Sequence, residues 1–86
     1  MSDFPGKGKV AVIKTSPETV LEDYQRLMEM AGVEAALPNK KIQTGLKINI
    51  SWQTWYPACS TAPWQLEGVI KTLQNLGYQD LVGVHN

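Results

Sequence analysis

The sequence predicts an α/β fold: a three-stranded parallel β-α-β-α-β sheet, a Rossmann-like half at the front end of a larger α/β domain. Three observations carry this reading. Short β-branched runs alternate with amphipathic stripes, each stripe opens on a hydroxyl residue followed by proline, and the last element reads as a strand.

Residues 1–8 form a polar, glycine-containing lead-in, and residues 9–86 form the partial α/β domain. The run Lys9-Val10-Ala11-Val12-Ile13-Lys14 is rich in β-branched residues and reads as the first strand. Thr15-Ser16-Pro17-Glu18 then has the composition of a helix start: a hydroxyl for the free amides, proline for the first turn, and an acid for the positive end of the dipole. Val20, Leu21, Tyr24, Leu27, Met28 and Ala31 make one apolar stripe, and Gly32 is a terminator. One further helical turn is expected at 33–37, followed by a loop at Pro38-Asn39-Lys40-Lys41.

The second strand is expected at 45–50. An irregular run with Trp52, Trp55 and Tyr56 follows. Thr61-Ala62-Pro63 opens the second long helix, whose buried stripe is Leu66, Val69, Ile70 and Leu73, with Gly77 as its end. Residues 80–85 read as the third strand. A three-stranded parallel sheet leaves a hydrophobic edge open, so further sheet, from the rest of the polypeptide or from a homo-oligomer, is expected to cover it.

Composition bounds the function. The apolar fraction of 43% and the charged fraction of 19% belong to a folded domain. Eight basic residues balance eight acidic ones, which gives no electrostatic reason to expect nucleic acid or an anionic membrane as partner. No apolar stretch approaches the roughly 20 residues of a membrane span, and the first residues lack the features of a secretory signal. Cys59 is the single cysteine and His85 the single histidine, so neither a disulfide nor a cysteine–histidine zinc set is available within these residues. The expected compartment is the cytoplasm. The sequence leaves any cofactor open.

In an open parallel sheet, ligands bind beyond the carboxyl ends of the strands. That edge would gather Thr15 and Ser16, then Asn49, Ser51 and the loop reaching Ser60 and Thr61, then His85 and Asn86. Lys47 and Asn49 share one face of the second strand, where a sheet covered on both sides would be apolar. One reading is a polar pocket in which Lys47 meets a small anionic ligand and Asn49, Ser51, Ser60, Thr61 and His85 orient it. The other is a solvated face, or one covered by further polypeptide. Ser60 and Thr61 could bind an anion or only cap their helix. Cys59 stands where a helix dipole would favour its thiolate, a nucleophile or a metal ligand by chemistry, although no histidine lies near it in sequence. Trp52, Trp55, Tyr56 and Trp64 could wall a planar ligand, form a subunit contact, or plug one end of the core. Gly6-Lys7-Gly8-Lys9 is similar to a phosphate loop in composition, but it precedes its strand instead of following it.

At Lys47-Ile48-Asn49-Ile50-Ser51, Cys59-Ser60-Thr61-Ala62-Pro63 and Leu66-Glu67-Gly68-Val69-Ile70 the chain resembles the bacterial family called domain of unknown function 362. That family shows a Lys-Pro-Asn strand end, a Ser/Thr-plus-proline helix start, and a helix leading to a Val-Val-Gly-Asp strand. Here Ile48 replaces the proline, and His85 follows Leu81-Val82-Gly83-Val84 where an acid is usual. The resemblance runs from about Val10 onward and implies a longer parent protein with no settled activity. Some members carry an iron–sulfur segment, which one cysteine cannot support. Two functions therefore stand side by side: a part of an enzyme holding a small anion at the sheet edge, or a non-catalytic interaction or assembly module using the aromatic loop 52–64.

Overall fold

The computed structural model describes residues 6–49 and 60–85, the last of these by its backbone alone. The element order is α1 (Val20–Met30), α2 (Val33–Ala36), β1 (Thr44–Ile48), α3 (Pro63–Asn75) and β2 (Leu81–His85). β1 and β2 pair in parallel, with Thr44 opposite Leu81, Leu46 opposite Gly83 and Ile48 opposite His85. Parallel neighbours need a crossover, and α3 lies between the two strands in the chain.

Two strands replace the three that the sequence predicts, so the described residues do not make a Rossmann-like half. Residues 9–14 lie outside any strand, and Val10 and Val12 are 85% and 79% exposed. Within the run, Ile13 faces α1. Ile13 sits with Val20, Tyr24 and Leu27 of α1 around a hollow of about 90 Å³. A short apolar run carries no periodicity that separates a ladder strand from such a packed segment.

α1 begins later than the hydroxyl–proline signal implies. Pro17 to Thr19 form a turn, closed by Thr19 N–H donating to the Ser16 carbonyl at 3.1 Å, and the helix starts at Val20. Gly32 closes α1 as expected, and α2 supplies the expected extra turn. α3 starts with Pro63 at its first position, as predicted, but Thr61 does not cap it. Its far end is a Schellman motif: Tyr78 N–H reaches back to the Leu73 carbonyl and Gly77 N–H to that of Gln74. Gly77 has φ +100°, a conformation that only glycine adopts without strain.

α1 packs on α3, and the two run in the same direction. Val20 lies near Trp64, Tyr24 meets Gly68, and Gln25 accepts from Asn75 Nδ2 at 2.9 Å. Gly68 is what lets the helices touch. A methyl group there would come within 2.7 Å of the Tyr24 ring and 2.9 Å of its Cβ. Leu73, Thr72 and Tyr78 are the most deeply buried side chains nearby, and the Thr72 hydroxyl donates to the Gly68 carbonyl at 2.7 Å. Tyr78 donates its hydroxyl to the Leu37 carbonyl, tying the end of α2 to the end of α3, while the Lys40 ammonium stands 5.5 Å from the Tyr78 ring centre and pairs with Glu34 at 2.6 Å.

Alanine is the better helix former by about 1 kcal/mol, but overpacking costs about 1–3 kcal/mol. Because the clash reaches the Tyr24 Cβ, close to the backbone, overpacking should win. Gly68→Ala is expected to lower the thermal midpoint, and in a Tyr24→Ala background the same change should raise it. Thermal unfolding of the four proteins checks both signs.

Candidate functional site

The carboxyl end of β1 meets the start of α3 through two reciprocal hydrogen bonds. Asn49 N–H donates to Thr61 Oγ1 at 2.9 Å, and Thr61 N–H donates to the Asn49 carbonyl at 2.8 Å. The Thr61 hydroxyl thus satisfies the strand end instead of capping the helix, and the N-cap position falls to Ala62. Two of the candidate residues, Asn49 and Thr61, are thus brought together, by one bond to the Thr61 side chain and one between backbones.

Lys47 and Thr61 line one shallow hollow of about 200 Å³ with Leu46, Ile48, Gln65 and Leu66. Lys47 is on the exposed face of β1, while Leu46 and Ile48 on the alternate face are half-buried. Its ammonium donates to the Ile48 carbonyl at 3.2 Å. Ser60 is half-buried immediately before Thr61. β2 ends at His85 beside Ile48, so the His85 backbone reaches the same edge. Ser51, Cys59, Trp52, Trp55, Tyr56 and Asn86 lie outside the described residues, as does the His85 side chain.

Thr15 and Ser16, expected at this edge from a first strand, instead lead into the turn before α1. With Pro17, Val20 and Trp64 they line a hollow of about 410 Å³. Thr15 belongs to a polar cluster that the sequence reading missed. Its hydroxyl and that of Thr19 each donate to Asp23 Oδ2 at 2.7 Å, and Arg26 pairs with Oδ1 at 3.1 Å. Asp23 is buried on α1, yet every buried side-chain polar atom among the described residues has a partner. The available signal was the spacing Thr15, Thr19, Asp23, which places two hydroxyls within reach of one first-turn acid. The cluster fastens the turn to the helix. Among the described residues no group of three metal-ligating side chains exists, and no helix is long and apolar enough to cross a membrane.

No family model, curated protein or solved structure matches this chain. The resemblance to domain of unknown function 362 therefore rests on the residues quoted for it.

The Thr15 hydroxyl, then that of Thr19, holds the Asp23 carboxyl below its ordinary value of 3.8, with Arg26 adding charge attraction. A carboxyl whose folded pKa is depressed contributes stability that is present above the unfolded value and lost as pH falls through the folded one. The loss should therefore lie below about pH 3.8. Asp23→Asn is expected to flatten the acid limb of the stability curve in that window, measured by urea unfolding from pH 2 to pH 5, roughly the span over which carboxylates titrate.

Proposed function

We propose that this chain is a non-catalytic assembly module that packs the valine face of its sheet against a second copy of itself. One observation carries the reading. β1 and β2 are parallel, a geometry that elsewhere is covered on both faces, yet Val82 and Val84 on one face are 38% and 43% exposed. Among the described residues the sheet has only two strands, each with one edge that no described strand covers. A formal net charge of +0 sets up no mutual repulsion between copies, which favours a second copy over a partner chosen by charge. Self-pairing through a valine face also suits a two-fold contact, in which each copy offers the same patch.

Val82→Lys combined with Val84→Lys places two like charges on that face without touching the α1–α3 contact. Sedimentation equilibrium of the unaltered chain should show mass rising with concentration, and the double variant should remain a monomer with unchanged circular dichroism. An unaltered chain that stays monomeric throughout would remove the proposal.

A second reading, an anion at the β1–α3 corner, is favoured by the shared hollow of Lys47 and Thr61. There the ammonium and the positive end of α3 would favour the same ligand sign. A charge-assisted hydrogen bond contributes about 1.5–3 kcal/mol, so Lys47→Met should weaken inorganic phosphate binding roughly tenfold or more while leaving folding intact. Isothermal titration checks this, and equal binding by the two proteins would end the reading.

A further inference from the structure

The hollow between residues 15–17 and the first turn of α3 shares no lining residue with the valine face or with the β1–α3 corner. Its volume, about 410 Å³, falls within the range of small-molecule sites, roughly 300–1,000 Å³. Trp64 forms one wall and is 50% exposed, so its indole is not held there as part of the core.

The lining defines the ligand's chemistry in three steps. Thr15, Ser16, Pro17, Val20 and Trp64 include no charged side chain, so an ionised ligand would lose hydration without gaining a partner. Two hydroxyls against three apolar walls cannot satisfy a saccharide's many polar groups, whereas a flat ring with one polar edge suits both surfaces. The Thr15 hydroxyl has a single proton, and its short bond, 2.7 Å, commits that proton to Asp23 Oδ2. The lone pairs of Thr15 Oγ1 remain, so Thr15 meets a ligand as an acceptor. Thr19 gives its own proton to Asp23, so Ser16 Oγ donates to Thr19 Oγ1 at 3.0 Å, and the ligand must bring the donor.

We propose that this hollow binds a small uncharged heteroaromatic molecule that stacks on Trp64 and donates an N–H to Thr15 Oγ1. The site is independent of the assembly reading and would survive its failure.

Nitrogen-15 NMR titration of the full chain with 9-methyladenine, and with 9-methylpurine, which lacks the amino donor, tests the proposal. The expected result is saturable shifts at Thr15, Ser16 and the Trp64 indole, with the purine bound roughly fivefold more weakly, the value of one neutral hydrogen bond. Trp64→Ala should abolish the shifts. Trp64→Leu, which keeps apolar bulk without a ring face, should weaken them while circular dichroism stays unchanged. Equal affinity for the two probes, shifts centred away from these residues, no saturable shift, undiminished binding by Trp64→Leu, or tighter binding of methyl glucoside would each overturn it.

Discussion

The described structure depends on the absence of a side chain at Gly68. Because nothing projects there, the Tyr24 ring lies directly on the α3 backbone, and α1 and α3 approach closely enough to bury Thr72 and Leu73. α3 is also the link between the two paired strands, so whatever fixes α3 fixes the frame on which β1 and β2 meet. The polar contacts follow from this placement. Gln25 reaches Asn75, and Tyr78, carried past the end of α3 by the Gly77 turn, reaches the carbonyl of Leu37. A domain of this size buries too little surface to spare such a contact.

Local chemistry made much of this arrangement legible in the sequence. Pro63, Gly32 and Gly77 mark helix boundaries that the structure keeps, because each acts through its own backbone. The Lys47 and Leu46 alternation also reads correctly as two faces of one strand. Non-local choices were hidden. Residues 9–14 have strand composition, but Ile13 packs with α1, and composition does not say which surface an apolar run will meet. Thr15, Thr19 and Thr61 all resemble helix caps by residue type. Their hydroxyls instead meet Asp23 and the Asn49 amide, partners set by tertiary contact.

The candidate site shows the same division. Asn49 and Thr61 meet because the backbone end of β1 and the residue before the α3 start exchange two hydrogen bonds. Thr15 and Ser16 do not join them, since the strand that would have brought them there is absent from residues 9–14. What the structure adds is a parallel pair with valines facing outward. A packed helix pair beside a sheet with one exposed valine face divides the molecule into a part that is packed and a part that awaits packing, which is the physical content of the assembly reading.

Amide hydrogen exchange across a concentration series probes that division directly. Assembly through the sheet predicts that protection of the β1 and β2 amides rises with protein concentration while the amides of α1 and α3 around Tyr24 and Gly68 hold constant. Protection that is uniform across the chain and independent of concentration would contradict it.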